Sequence, residues 1–118
     1  MFNARKETVM YQKDFKGKKV LVTGAAQGIG LAIAEQYAQA GAEVLLVDIQ
    51  EEQGWQKAES LKEKGLKAHF FQADLSSVES IEKLFYRIKK THERLDILIN
   101  NAGISKLFTP LEELSAAI

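Results

Sequence analysis

Short apolar runs alternate with amphipathic stretches along most of the chain. The runs at 18–23, 43–48, 67–73 and 95–99 predict β-strands, because each is short and bounded by polar or glycine-containing segments. The stretches between them repeat apolar residues at the spacing of helices that bury one face. Strands alternating with helices predict an α/β fold with a parallel sheet and right-handed crossovers.

The first two intervening helices are indicated by an apolar stripe and a terminal glycine. In the first helix the stripe expected to face the sheet comprises Ile29, Ile33 and Tyr37, with the small residues Gly30 and Ala34 beside them, and Gly41 is expected to end the helix. The second helix carries Trp55, Ala58 and Leu61 at spacings of three and stops at Gly65. Trp55 is interpreted as helix packing and not as a stacking platform.

The later helices are predicted from their N-terminal signals. Ser76 and Glu79 form a capping box, and the apolar side of the third helix comprises Val78, Ile81, Leu84, Phe85 and Ile88. A fourth helix is expected to begin near the end of the chain, with Thr109 as N-cap, Pro110 at the first helical position and Glu112 completing a second capping box.

The glycine-rich segment between the first strand and the first helix carries the strongest chemical signal. Val20-Leu21-Val22 leads directly into Thr23-Gly24-Ala25-Ala26-Gln27-Gly28-Ile29-Gly30. Such a turn points unpaired backbone amides and the positive end of a helix dipole at one spot, where a pyrophosphate binds. We expect Gly24 to make the tight turn, Gly28 to leave room for the ligand, and Gly30 to allow close helix packing.

An acidic residue at the end of the second strand supports a dinucleotide site. Asp48 follows Gly30 by eighteen positions and terminates an apolar run, where this class of fold needs an acceptor for the adenosine ribose hydroxyls. The alternative is that Asp48 is a helix N-cap. A carboxylate here would repel the 2′-phosphate of NADP, and neither Gln27 nor Ile49 has the basic side chain that would neutralise this phosphate. NAD is therefore the expected cofactor in preference to NADP.

The strand pattern predicts an incomplete, Rossmann-like doubly wound parallel sheet with strand order 3-2-1-4 and helices on both faces. The helices after strands 1 and 2 are expected on one face, and the helix after strand 3 on the other. The switch point then lies between strands 1 and 4. Their carboxyl ends carry Thr23-Gly24 and Asn100-Asn101, which we therefore expect to meet at one crevice.

These motifs together resemble the short-chain dehydrogenase/reductase family, in its classical branch. The resemblance rests on the T-G-x-x-x-G-x-G turn, on Asp74 in Ala73-Asp74-Leu75, and on Asn100-Asn101-Ala102-Gly103 after the fourth strand, and it covers the chain from about Lys18 to the end. It implies an NAD(P)-dependent oxidoreductase that interconverts alcohols and carbonyl compounds by hydride transfer.

The resemblance also implies roles for individual residues. The pyrophosphate would lie over 24–29, the adenine near Asp74 and Leu75, and the cofactor ribose beside the Asn100–Gly103 stretch. Asp74 has an alternative role as a helix-start carboxylate beside Ser76, and the asparagines as a polar turn. The candidate cofactor-binding residues are Gly24, Ala26, Gln27, Gly28, Ile29, Gly30, Asp48, Ile49, Asp74, Leu75, Asn101, Ala102 and Gly103.

The family's catalytic serine and Y-x-x-x-K helix would follow the N-N-A-G stretch, and the 118 residues end before them. No catalytic residue is therefore assigned, and we expect the chain to be inactive alone. Tyr86 and Lys90 spell Y-x-x-x-K but precede the fourth strand, so they are interpreted as a surface pair. Ser105 is interpreted as a loop hydroxyl, and His69 and His92 lack the spacing of metal ligands.

Composition limits the partners. Sixteen basic and sixteen acidic residues give a net charge of zero, which argues against nucleic acid or an anionic membrane as a ligand. The absence of cysteine excludes disulfides and thiol chemistry, and together with a polar N-terminus favours a cytoplasmic location. We expect a polar leader at 1–16 and a dinucleotide-binding domain at 17–118, truncated before its catalytic half.

The fourth strand would be an unpaired edge in such a truncated sheet, which predicts self-association or a complementary chain. Three interpretations remain at this point. The first is the cofactor-binding part of an oxidoreductase, acting on a small alcohol or carbonyl substrate when the missing half is supplied. The second is a non-catalytic NAD-binding or assembly module that pairs through its exposed strand, and the third is an inert truncation product.

Overall fold

The structure is a computed structural model that describes residues 14–101. Strands and helices alternate along this range. The elements are β1 (Lys19–Thr23), α1 (Gly28–Gln39), β2 (Glu43–Asp48), α2 (Glu51–Glu63), β3 (Lys67–Gln72), α3 (Val78–Thr91) and β4 (Ile97–Ile99). The predictions for Ala102, Gly103 and Ser105, the helix expected from Thr109, and most of the predicted leader lie outside the described residues.

The four strands form one parallel sheet in the order β3-β2-β1-β4. Val22 in β1 is in register with Leu46 in β2 and with Ile99 in β4. The predicted order and parallel pairing are confirmed. The carboxyl ends of β1 and β4 therefore lie side by side, as the switch-point argument requires.

The sheet buries a core on each face. Residues that alternate along β1 and β2 divide between them: Val22 and Leu46 contact α1 and α2 on one face, whereas Leu21 and Leu45 lie on the face covered by α3. This confirms the predicted distribution of helices. These central side chains are almost fully buried, and each contributes about 1.5–3 kcal/mol of hydrophobic free energy to folding.

The buried face of α1 differs from the prediction. Gly30, Ala34 and Ala38 are buried against the sheet, whereas Ile29 is 66% exposed. Ile33 and Tyr37 are partly buried beside the contact. The prediction is therefore wrong for Ile29, and the centre of the contact lies one position further on, at the small residues expected beside the stripe, because the helix lies close to the backbone at Gly24. The predicted stop is confirmed, since Gly41 follows the helix with a φ of 101°.

The start of α3 also differs from the prediction. Ser77, not Ser76, is the N-cap, and its hydroxyl accepts a hydrogen bond from the Ser80 amide at 3.1 Å. Ser76 is unavailable because its hydroxyl donates to Asp74 Oδ1 at 2.6 Å. Val78 was expected on the apolar side of this helix, but it is 65% exposed and does not belong to that side. Leu84 and Ile88 are buried on that side, as well as the partly buried Phe85.

The outer strand β4 is shorter than predicted. It spans Ile97–Ile99, and its central residue Leu98 is 41% exposed. Asp96 lies outside the strand, where its carboxylate accepts hydrogen bonds from the Lys19 backbone amide at 2.8 Å and from Arg94. The predicted strand began at residue 95, but Asp96 makes these polar contacts and the strand begins after it. In the described part of the chain, β4 pairs with β1 alone and forms an edge of the sheet.

Candidate cofactor-binding site

The segment between β1 and α1 forms an open turn at the carboxyl edge of the sheet. Gly24 and Gly28 have φ values of 63° and 60°, in the left-handed region that favours glycine. Gln27 is the N-cap of α1, and no side-chain cap bond forms there. The first amides of a helix lack intrahelical acceptors. The start of α1 therefore presents backbone donors and a positive dipole end to the crevice.

Gly30, in the first turn of α1, packs directly against the backbone of Gly24. A Cβ atom at this position would be 2.1 Å from the Gly24 carbonyl oxygen and 2.6 Å from Asn101 Nδ2. The same Asn101 amide donates to that Gly24 carbonyl oxygen at 3.2 Å. One contact thus joins the glycine turn, the first turn of α1 and the segment after β4. A side chain larger than hydrogen at position 30 would separate them.

Asp48 is held beneath the glycine turn at the end of β2. Its Oδ2 accepts from the Ala26 amide and its Oδ1 from the Gln50 amide, both at 3.0 Å. Asp48 is not the N-cap of α2, because Gln50 occupies that position and makes no side-chain cap bond. The alternative cap role is therefore excluded. Asp48 as a residue is 8% exposed, and its carboxylate keeps lone pairs that neither amide uses.

The ends of β1 and β4 converge through their polar side chains. The Thr23 hydroxyl lies 3.2 Å from Asn100 Oδ1 and 3.4 Å from the Ile99 carbonyl oxygen. Asn101 reaches across the same gap to Gly24. The glycine turn and the asparagine motif are therefore adjacent at one crevice, although Gly24 and Asn101 are 77 positions apart in sequence.

Asp74 follows β3 at the same carboxyl edge of the sheet, beyond the end of β2. Its Oδ1 accepts from the Ser76 hydroxyl and from the Ser76 amide at 3.0 Å. These two hydrogen bonds hold the pKa of Asp74 below its usual value. The alternative helix-start role is thus present in the structure, and it leaves a charged carboxylate beside Leu75. Ile49, next to Asp48, exposes its apolar side chain at the same rim.

The Tyr86 and Lys90 pair is separate from this crevice. Both residues lie on α3, where the Lys90 ammonium is 4.8 Å from the centre of the Tyr86 ring. Tyr86 is exposed to solvent. This geometry is a cation–π contact on a helix surface, which agrees with the interpretation of Tyr86 and Lys90 as a surface pair.

A second polar cluster lies at the opposite, amino edge of the sheet, and sequence reasoning missed it. It comprises Glu43, His69 and His92, with Lys19 beside them. Burial, followed by the nearby Lys19 charge, lowers the pKa of His92. Burial alone would raise the pKa of Glu43, but hydrogen bonding to His69 and the surrounding positive charges lower it. Strand alternation could have placed Glu43 and His69 on one face, whereas no local signal placed His92 there.

Comparison with known proteins identifies the family. The family model for short-chain dehydrogenases matches residues 18–117. The chain belongs to the short-chain dehydrogenase/reductase family. It is 45% identical over 92 residues to a 3-oxoacyl-[acyl-carrier-protein] reductase of Aquifex aeolicus, which covers 77% of the chain and 37% of that protein. It is 39% identical over 101 residues to a fatty acyl-CoA reductase of Acinetobacter baylyi, covering 86% of the chain and 34% of that protein.

Solved structures share the same fold. A short-chain dehydrogenase of Shigella flexneri, determined in complex with NADP, is 36% identical and superimposes with a TM-score of 0.72. The match covers 79% of the chain and 40% of that protein. Oxidoreductases with a Rossmann fold are therefore the chain's relatives, and members of the family bind NAD(P). The chain spans well under half the length of the relatives that it matches.

Proposed function

We propose that the chain forms the NAD(P)-binding part of a short-chain oxidoreductase. The observation that carries this proposal is the open glycine turn at the start of α1, closed from behind by Asn101 and supported from below by Asp48. The pyrophosphate would lie over 24–29 and bind the amides at the start of α1, where Gly28 leaves space for it and the Ala26 amide is already paired with Asp48. The whole protein would transfer hydride between an alcohol and a carbonyl compound.

Asp48 is the proposed ligand of the adenosine ribose. Each carboxylate oxygen already accepts one backbone amide, and a carboxylate has about four lone-pair sites, so acceptor capacity remains for two ribose hydroxyls. The adenine would lie between the exposed Ile49 side chain and Leu75, close to the charged Asp74. Asn101, Ala102 and Gly103 would flank the nicotinamide half.

We further propose that NAD binds in preference to NADP. A 2′-phosphate on the ribose would approach the Asp48 carboxylate. Two like charges about 5 Å apart at an effective dielectric constant of about 20 repel by about 3 kcal/mol, which is roughly a hundredfold in affinity. The Shigella flexneri relative was determined with NADP, and Asp48 is the local feature that supports NAD in this chain.

Calorimetric titration of the 118-residue chain with NAD and with NADP tests both proposals. We expect NAD to bind more tightly, and Asp48→Ala to weaken NAD binding by roughly tenfold while narrowing the gap to NADP. Loosening of the turn would weaken both cofactors equally, so the ratio of the two affinities isolates the ribose contact. An unchanged ratio, or no binding of either cofactor, would contradict the assignment.

Asp96→Ala is the matched control for this experiment. Asp96 also accepts a backbone amide, from Lys19 at 2.8 Å, but at the amino edge of the sheet. Its loss removes a comparable structural hydrogen bond without touching the crevice. We expect Asp96→Ala to lower stability and to leave the ratio of NAD to NADP affinity unchanged.

A second proposal is that the chain associates through β4. Leu98 is exposed on this edge strand, which lacks a second neighbour within the described residues. Unpaired apolar edges attract other strands. Sedimentation velocity should detect self-association that Leu98→Lys abolishes, whereas Val78→Lys, at an exposed apolar position on α3, should not. A monomer at all concentrations would refute this proposal. A non-catalytic assembly module would show both self-association and NAD binding. The cytoplasmic location stays a prediction.

No helix in residues 14–101 has both the length and the apolar character needed to cross a bilayer.

A further inference from the structure

The polar cluster at the amino edge of the sheet is built by the strand register. Lys19 and Glu43 are register partners in β1 and β2, and Glu43 pairs in turn with Lys67 in β3. His69 is two residues after Lys67, so its side chain lies on the same face as that of Glu43. His92, the C-cap of α3, completes the group from above this face.

The potential ligand atoms of Glu43, His69 and His92 lie close together. Glu43 Oε2 is 2.5 Å from His69 Nε2 and 3.9 Å from His92 Nδ1. All three ligand atoms lie within 4.8 Å of one another, and the two imidazole rings meet edge to face with centroids 5.0 Å apart. Three converging nitrogen and oxygen donors from separate elements form the pattern of a metal site and are not explained by the cofactor crevice.

We propose that Glu43, His69 and His92 bind a divalent transition-metal ion of the Zn²⁺ type. Two imidazoles and one carboxylate suit Zn²⁺ and leave a fourth position open for water. Tetrahedral ligands about 2.0–2.1 Å from the ion lie about 3.3 Å from one another. The carboxylate and His69 need to separate by about 0.8 Å. His92 needs to move about 0.6 Å closer to Glu43 and up to about 1.5 Å closer to His69, which rotation of these side chains supplies.

Lys19 marks the place where the ion would bind. Its ammonium nitrogen is 3.2 Å from His92 Nδ1. An ammonium group can only donate, so the lone pair of His92 Nδ1 accepts this hydrogen bond and is directed at the cluster. The ammonium is thus a cation already held by one of the proposed ligands, and a metal ion would displace it. Lys19 therefore weakens metal binding and does not contribute a ligand.

The ion can reach this site from solvent. The His92 side chain is buried, whereas His69 is 40% exposed. A hollow of about 420 Å³ adjoins the cluster and includes Trp55 and Phe71 in its wall. One ligand is thus fixed by burial and another lies beside an entry path, as a metal site requires. Glu43 begins β2 and Asp48 ends it, about 17 Å away, so this site is separate from the cofactor crevice.

Zn²⁺ titration of the untagged, chelator-treated 118-residue chain tests the proposal by calorimetry. We expect saturable binding of one ion, lost by at least about tenfold in Glu43→Gln and in His69→Asn because each removes one of three ligands. Co²⁺ should give the visible absorption of a low-symmetry tetrahedral site. Glu82→Gln, which removes an exposed carboxylate from α3, is the matched control and should bind as the parent does.

Lys19→Met separates the proposal from simple loss of folding. It removes the competing ammonium but keeps an apolar stem and the backbone amide that Asp96 accepts. We expect Zn²⁺ affinity to rise by roughly tenfold, an effect that unfolding cannot produce. Absence of saturable binding, equal loss of affinity in Glu82→Gln, or weaker binding in Lys19→Met would each overturn the assignment.

Discussion

Replacing Gly30 with alanine tests the contact that joins the glycine turn to α1. The new methyl group would lie 2.1 Å from the Gly24 carbonyl oxygen and 2.8 Å from its carbonyl carbon. Ordinary van der Waals contacts of a Cβ atom lie at 3.4–4 Å, and backbone atoms cannot rotate away as the end of a side chain can. The first turn of α1 must therefore move outward by about an ångström, which also separates Asn101 from Gly24.

The magnitude follows from three effects of different size. Forcing a methyl group into a filled contact costs about 1–3 kcal/mol. Loss of the hydrogen bond from Asn101 to Gly24 costs about 1 kcal/mol more. Alanine in a helix gains about 1 kcal/mol over glycine, which offsets part of this. We expect a net loss of about 2 kcal/mol in the free energy of unfolding.

Urea denaturation measures this loss. A decrease of about 2 kcal/mol lowers the midpoint by about 1 M for a domain of this size. Gly65→Ala is the control, because Gly65 has a φ of 84° and no atom within 4 Å of its added Cβ. It should lose about 1 kcal/mol through backbone strain alone and should keep NAD affinity. A Gly30→Ala protein as stable as the parent, with unchanged NAD affinity, would refute the reasoning.

Three further changes test the fold. Gly54→Ala places a Cβ about 2.0 Å from the ring of the buried Phe70, so it should lower the urea midpoint unless Phe70→Leu accompanies it. Ser77→Ala removes the cap of α3 and should cost about 1 kcal/mol, whereas Ser76→Ala should cost less in the same assay. The pKa of Asp96 is lowered, mainly by a backbone amide, so the stability that it contributes is present above pH 3.8 and is lost in more acidic solution. Asp96→Asn should flatten this acid limb of a midpoint-against-pH curve, and a curve identical to the parent's would contradict the reasoning.

The order and pairing of the elements could be predicted because each is encoded locally. Apolar runs define the strands, Gly41 and Gly65 end helices with positive φ values, and alternation with helices leaves few topologies for a parallel sheet. The convergence of Gly24 with Asn101 follows from that topology alone.

The details that failed depend on contacts between distant residues. Periodicity favoured Ile29 because it is large and apolar, whereas close approach of the backbones selects the equally spaced Gly30, Ala34 and Ala38. The capping box failed because Asp74, before the helix, accepts the hydrogen bonds of Ser76. The periodicity of a helix or a strand predicts neither the close approach of the backbones nor the hydrogen bonds of Asp74.

The amino-edge cluster shows the same limit. His92 lies 23 positions beyond His69, and a search for metal ligands by sequence spacing has no reason to join them. Only the packing of α3 over β2 and β3 brings their rings together. Clusters assembled across a sheet in this way are found from coordinates and not from motifs.

The two amides held by Asp48 constrain how this protein could change its coenzyme. A substitution that removes the carboxylate to welcome a phosphorylated ribose would also leave Ala26 and Gln50 with unpaired donors. If Asp48 binds the ribose as proposed, one side chain combines ligand recognition with support of the turn. Redesign toward the phosphorylated coenzyme would need a replacement acceptor under the turn as well as a positive charge beside it, so single-residue swaps at this position should give weak binders of both coenzymes.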